Sequence, residues 1–174
     1  MDLFEAIRTR RSIRKYDRNR DVEPEKIQAC LDAARWAPSA SNKQPWHFVV
    51  VRGRAVREKL ANIHPYGKFM SDSPVVIVVL GDPKKHSKFY KYDPPVATQN
   101  FLLAAHAQGL GTCWMGVVDS PFEPDLKKLL GVPESLSIIC TISVGYYVEK
   151  PEKTRFPLEE MVSYEQFGNE SRPQ

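Results

Sequence analysis

Residues 94–108 read Pro94-Pro95-Val96-Ala97-Thr98-Gln99-Asn100-Phe101-Leu102-Leu103-Ala104-Ala105-His106-Ala107-Gln108. The stretch predicts a helix whose apolar positions, Val96, Ala97, Phe101, Leu102, Leu103, Ala104, Ala105 and Ala107, cover most of the helical wheel rather than one stripe. Such a helix is either central to its fold or buried in an interface. In a chain of 174 residues, covering it on every side from within is hard, and a homodimer is expected.

Working outward from this helix, Gly109 suits the left-handed residue just past a helix end, and Gly111 a tight turn into a strand over residues 112–118. Gly109-Leu110-Gly111-Thr112-Cys113-Trp114-Met115-Gly116 is not a dinucleotide fingerprint, because its glycines follow a helix and precede a strand, the reverse of the required order. Gly116 either lets a flat ligand approach the backbone or marks a bulge. A helix over residues 123–130 and a strand over 136–146 follow. Upstream lie a buried strand at 75–80, a helix near 55–63 and a strand at 46–51 rich in aromatic and β-branched residues. Glu23-Pro24-Glu25 opens a helix with Ile27, Leu31 and Ala34 at helical spacing, stopped by Pro38. A short amphipathic helix at 2–9 carries Leu3, Phe4 and Ile7 on one side. Helices and strands alternate, though not strictly, and the class is α+β or mixed α/β.

With 42% hydrophobic residues the chain supports one globular domain, read as residues 1–174. The longest apolar runs, 74–80 and 137–144, are too short to span a bilayer, and the N-terminus has no cationic start leading into an apolar stretch. Cys30, Cys113 and Cys140 are odd in number, far apart and in apolar surroundings, which fits reduced, buried thiols in a cytoplasmic protein. His47, His64, His86 and His106 show no metal-ligand spacing, so no metal is expected and the histidines are read as structural.

Charge is concentrated locally. Residues 8–20 hold six arginines and one lysine against one aspartate, a net of +6 in a chain of net +4. If the segment is extended, Arg10, Ser12 and Arg14 share one face, offering two planar guanidiniums and a hydroxyl to phosphate oxygens. A solvated basic loop is the other reading of the same residues. Pro38-Ser39-Ala40-Ser41-Asn42-Lys43-Gln44-Pro45 is a bend rich in donors, with the Asn42 and Gln44 amides able to pair with a heterocycle edge or a polyol; an ordinary turn reads equally from it. Lys84, Lys85, Lys88 and Lys91 interleave with Phe89, Tyr90 and Tyr92, which reads as a solvated loop and less well as a stacking surface for nucleic acid, because the rest of the chain is acidic once both basic stretches are set aside.

Four motifs in order, over residues 4–162, resemble the FMN-dependent nitroreductase family: the early Arg10-x-Ser12-x-Arg14 segment, Pro38-Ser39-x-x-Asn42-x-Gln44-Pro45-Trp46, the central helix from Gln99 and Asn100 into the turn at Gly109 and Gly111, and the late basic pair Lys153 and Arg155. The resemblance implies a three-layer α/β/α fold with a central, mostly antiparallel sheet, an obligate homodimer, and FMN at the subunit interface. Arg10, Ser12 and Arg155, with Lys153 near, would hold the phosphate and ribityl end, and Arg14 the pyrimidine edge; Arg11, between them, is counted among the cofactor contacts. Asn42 and Gln44 would lie close to the flavin, with Pro38, Ser39, Ala40 and Ser41 reaching in from the partner subunit. Trp114, Met115 and Gly116 would line another face or edge of the ring, and Lys68 stands where relatives place a cation. Lys15, Arg18 and Arg20 would face solvent or the partner.

The implied activity is reduction of a small electron-poor acceptor, a nitroaromatic or quinone, by NADH or NADPH in a ping-pong cycle, with no catalytic protein nucleophile, no nucleic-acid partner and no membrane. A flavin-binding protein for storage, sensing or flavin fragmentation is the alternative on the same fold, and a basic nucleic-acid module a weaker one. Two departures from the family pattern affect the mouth of the site: Met115 stands where some relatives carry an acid, and the connection from Leu80 to the central helix is short.

Overall fold

A computed structural model of the chain describes residues 1–170; the last four residues of the span read as one domain lie outside the described residues. Strands β1 (Trp46–Val51), β2 (Val75–Gly81), β3 (Gly111–Gly116) and β4 (Ser137–Gly145) form a sheet in the order β1-β2-β4-β3, each neighbouring pair antiparallel. Helices α1 (Leu3–Thr9), α2 (Pro24–Arg35), α3 (Arg54–Ile63), α4 (Asp93–Ala107) and α5 (Glu123–Leu130) complete the α+β fold. Proline sits in the first turn of α2, α4 and α5, where its missing N–H has no intrahelical partner to lose.

Every residue of β2 is buried, although the sheet is antiparallel, because helices cover both faces. Val75, Ile77 and Val79 pack with Cys30 and Ala34 of α2 and Ala97, Phe101 and Ala105 of α4. Val76, Val78 and Leu80 face the other way, toward Leu60 of α3 and Leu126 of α5. Period two thus divides one apolar run between two cores and makes the three layers. Each such side chain contributes on the order of 1.5–3 kcal/mol by leaving water. The three cysteines are buried, and burial pushes the Cys30 and Cys140 thiols up to about 12.

Four expectations are refined. Helix α4 buries Pro94, Ala97, Thr98, Phe101, Leu102 and Ala105, but Val96 is 41% exposed and Leu103 and Ala104 are half-buried, so one face of this nearly all-apolar helix is left uncovered by its own chain. Leu3, Phe4 and Ile7 do share a side of α1, yet that side faces outward; the helix docks through buried Ala6 and through Thr9, whose Oγ meets His106 Nε2 at 2.8 Å. Gly109 has the expected left-handed φ of 78°, whereas Gly111 is small for another reason: a Cβ there would stand 2.8–2.9 Å from Ile13 side-chain atoms. Gly116 is in regular register with Cys140, and the irregularity of the sheet falls at Val79/Leu80.

Candidate functional site

The basic segment is hung on the free edge of β3. Ile13 N–H donates to the Thr112 carbonyl at 2.8 Å, Ser12 bridges Thr112 in parallel, and the buried Tyr16 hydroxyl donates to the Ile13 carbonyl at 2.9 Å and meets Ser143 Oγ at 2.7 Å. Ile13 and Tyr16 are the buried anchors of the segment, and Arg14 and Lys15 between them are exposed; three positions apart, the two anchors break a strict period of two. Arg10, Ser12 and Arg14 line one cavity of about 250 Å³ together with Arg11, Pro151, Lys153 and Arg155. Two stretches some 140 positions apart in sequence therefore converge. Arg11 joins them out of phase because its Nη1 folds back onto the Arg8 and Arg10 carbonyls, each at 2.7 Å, where α1 ends.

Among the described residues no carboxylate lines this cavity. Arg10 is held below its ordinary value by burial and then by repulsion from Arg155 and Arg11; His106, nearby, is lowered by burial and by Lys150, Arg10 and Arg11. Like charges gathered without a counterion leave a strong positive potential that an anion of phosphate size would relieve. Three other basic residues of the stretch are engaged elsewhere: Lys15 with Glu149, Arg18 with Asp72 at 2.7 Å, and Arg20 stacked 3.3 Å over the Tyr146 ring.

Along β3 the character changes from cationic to apolar. From Thr112 to Gly116 the strand advances about 13 Å, past half-buried Trp114 and buried Met115 to an exposed Gly116 whose Cβ position is open. The Arg14 guanidinium lies 5.8 Å from the Phe69 ring centroid, beside Lys68. Lys68 itself is exposed and lines a separate, larger cleft of about 970 Å³ with Arg18 and Arg57, so it is not brought onto the cationic cavity. His64, expected only to be structural, reaches the end of β3. It is buried, its Nδ1 accepts the Tyr66 N–H at 3.2 Å, and its Nε2 is left to donate to the Gly116 carbonyl at 3.3 Å. Nothing in the spacing of histidines along the chain signals this contact.

The loop ahead of β1 is strained and pinned. Ser41, Asn42 and Gln44 hold φ of 51°, 54° and 47°, a region that costs a non-glycine residue on the order of 1 kcal/mol or more. Gln44 N–H donates to Ser39 Oγ at 3.0 Å, Gln44 Nε2 to Asn42 Oδ1 at 3.1 Å, and Ala40 N–H to the Asp93 carboxylate at 3.1 Å. Pro38, Ser41, Asn42 and Gln44 stay exposed. This loop and the end of β3 share one end of the sheet, since Trp46 opposes Gly81, Gly81 opposes Ser137, and Gly116 opposes Cys140. They are nevertheless on opposite edges, three strand spacings or about 14 Å apart. Within one chain the two sets of predicted contacts are therefore not brought together. Among the described residues no helix is long and apolar enough to cross a membrane.

The Nitroreductase family model matches residues 7–65 and 64–146. A Methanothermobacter thermautotrophicus protein with the provisional name NADH dehydrogenase/NAD(P)H nitroreductase is 46% identical over 156 residues, 87% of this chain and 80% of that protein. A Clostridium difficile R20291 structure described as an FMN-dependent nitroreductase superposes with a TM-score of 0.88 at 30% identity, covering 95% of this chain and 100% of its own. A Desulfovibrio desulfuricans protein with the provisional name nitroreductase, solved in complex with FMN, superposes at 0.84 with 32% identity, covering 96% and 98%.

Proposed function

We propose, because the chain belongs to the nitroreductase family, that it is an FMN-dependent oxidoreductase working as a cytoplasmic homodimer, one domain per subunit. Its electrons come from NADH or NADPH and go to a small, flat, electron-poor acceptor of the nitroaromatic or quinone type. The observation that carries the reading is the carboxylate-free cavity bounded by Arg10, Arg11, Arg14, Lys153 and Arg155, whose crowded charges fit an FMN phosphate. Bound FMN would supply the redox chemistry, accepting a hydride from the nicotinamide and passing reducing equivalents to the acceptor.

The chain's own groups would do the binding and orienting. Arg10 and Arg155 would neutralise the phosphate while Ser12 donates a hydroxyl to it, and Arg14 would set a fixed cation near the pyrimidine edge, favouring the reduced ring. Trp114, Met115 and Gly116 would give the ring an apolar edge, with open backbone at Gly116 allowing close approach. Pro38 to Gln44, out of reach in the same chain, would come from the partner. Uncovered apolar faces on α1 and α4 support that pairing, because Leu3, Phe4 and Ile7 are 63%, 68% and 50% exposed.

Anaerobic mixing of the FMN-loaded protein with NADH and, separately, NADPH tests the reading. Bleaching of the flavin band is expected with at least one donor, followed by reoxidation on adding a nitroaromatic or a quinone. Flavin that binds but stays oxidised would make the protein a flavin carrier, and a protein that takes up no FMN would overturn the reading altogether.

A further inference from the structure

The loop from Pro38 to Pro45 needs its surroundings to hold it, since Ser41, Asn42 and Gln44 all keep left-handed backbone without being glycine. Bonds within the loop fix its shape: Asn42 N–H donates to the Ser39 carbonyl at 2.9 Å, Lys43 N–H to the Ala40 carbonyl at 3.1 Å, and Gln44 N–H to Ser39 Oγ at 3.0 Å. Its place on the body is set by other segments. At the rear, Asp82 N–H donates to the Pro45 carbonyl at 2.8 Å and Lys85 Nζ to the Gln44 carbonyl at 3.3 Å, both from the segment leaving β2. At the front, Ala40 N–H donates to Oδ2 of Asp93, the first residue of α4, at 3.1 Å.

The two anchors differ in kind. Asp82 acts through its backbone and Lys85 is exposed, whereas Asp93 is only 7% exposed, and among the described residues no cation forms a salt bridge with it. Burying an acid costs solvation, which the positive end of α4 and the Ala40 N–H offset here. An exposed acid would serve the start of a helix as well, so what the burial adds is the hold on the loop. The residue is itself seated, because Asp93 N–H donates to the Phe89 carbonyl at 3.0 Å. Helix α4 is also the one that leaves Val96 41% exposed and Leu103 half-buried, a face that supports the proposed pairing. One side chain therefore couples the strained loop to the helix expected to meet the second copy.

We infer that Asp93 is the positioning residue for the loop that completes the flavin site of the partner, so that its removal is felt across the dimer; this rests on the shared-site reading above. Within one chain the loop and β3 lie on opposite edges of the sheet, three strand spacings apart, and the effect has no short route inside a single subunit.

The test is titration of Asp93→Ala, Asp93→Asn and Arg10→Ala with FMN, followed by flavin fluorescence, alongside melts of the flavin-free proteins. Asp93→Ala is expected to loosen FMN about tenfold or more, and Asp93→Asn, whose amide oxygen still accepts from Ala40, to recover most of that loss. The deciding arm is a heterodimer of one Arg10→Ala chain and one Asp93→Ala chain, isolated through two different affinity tags. One of its sites combines an intact clamp with an intact loop, and the other has neither. A single FMN bound per heterodimer at wild-type affinity is expected. If Asp93→Ala folds too poorly to titrate, Ala40→Pro removes the same bond from the loop side, at the first residue of a short turn where proline is tolerated, and takes its place in the heterodimer. A heterodimer with both sites weakened would assign the effect to the residue's own chain and overturn the inference, as would wild-type affinity in the Asp93→Ala homodimer. A wild-type protein that takes up no FMN, or binds it as a monomer, would instead overturn the shared-site reading, and this inference with it.

Discussion

His64 ties the exit of the edge strand to the segment that carries Lys68: its Nδ1 accepts the Tyr66 N–H at 3.2 Å, and its Nε2 faces the Gly116 carbonyl at 3.3 Å. The first contact fixes the tautomer, because a ring nitrogen that accepts leaves the proton on the other. Phe122 closes the third side, its ring centroid 4.8 Å from that of the imidazole. His64→Ala should therefore cost about 2–4 kcal/mol in denaturant unfolding, from two orphaned backbone groups and the space beside Phe122. His64→Gln should recover part of that loss through its amide, and an Ala variant within about 0.5 kcal/mol of wild type would show that the tie is not structural.

Burial holds both His64 and His106 below the ordinary histidine value of 6.5, with Lys150 and Arg10 adding to the effect at His106. A depressed native value means that the unfolded chain takes up protons the folded chain refuses. Stability should consequently fall as pH drops below about 6.5, and continue falling until the native values are reached, with no contribution above that range. Thermal melts across pH 5–8 measure the slope, and His64→Gln should flatten it.

Arg10 repels Arg155 and Arg11 in the cavity they share. Arg10→Ala should weaken FMN binding by about 1.5–3 kcal/mol if the guanidinium meets the phosphate, while the flavin-free protein keeps or gains stability as the repulsion is relieved. Titration of FMN fluorescence alongside melts of the flavin-free protein separates the two effects. Unchanged flavin affinity would remove Arg10 from the clamp.

Gly111 and Gly116, at the two ends of β3, should respond in opposite ways to the same methyl group. Gly111→Ala presses on Ile13 at 2.8–2.9 Å, the residue that seats Ser12, and should cost about 1–3 kcal/mol of stability together with flavin affinity. Gly116→Ala meets nothing within 4 Å and should leave stability within about 0.5 kcal/mol. If the flavin lies against Gly116, that second variant loses affinity alone.

Leu3, Ala6, Ala33, Leu103 and Ala107 line an apolar groove of about 270 Å³ between α1, α2 and α4. Leu3→Glu/Ile7→Glu should convert a dimeric wild type to a monomer in analytical ultracentrifugation and abolish flavin binding, since each site would lose its partner loop. A wild-type protein that sediments as a monomer with FMN bound would contradict the shared site.

Much of the architecture was legible because its signals are local. Trp46–Val51 and Glu123–Leu130 match the predicted spans, one from an aromatic and β-branched run and the other from apolar periodicity. The alternation of Arg10, Ser12 and Arg14 was likewise readable from period two, and their motifs pointed to a phosphate.

The chain by itself thus determined the helices and strands, the buried character of β2, and the alternation of Arg10, Ser12 and Arg14, since these follow from side-chain chemistry and spacing within a few residues. Only the tertiary structure decided that Lys153 and Arg155 join Arg10, that Arg11 is drawn in with them, that His64 holds Gly116, and that Lys85 and Lys91 fasten the segment after β2 to Gln44 and Asp119. It also decided that Pro38 to Gln44 lies three strands away from the cavity. Those relationships depend on the register and order of antiparallel strands, which bring residues 30 to 140 positions apart to the same edge or hold neighbours of one motif set apart, and no local pattern encodes them.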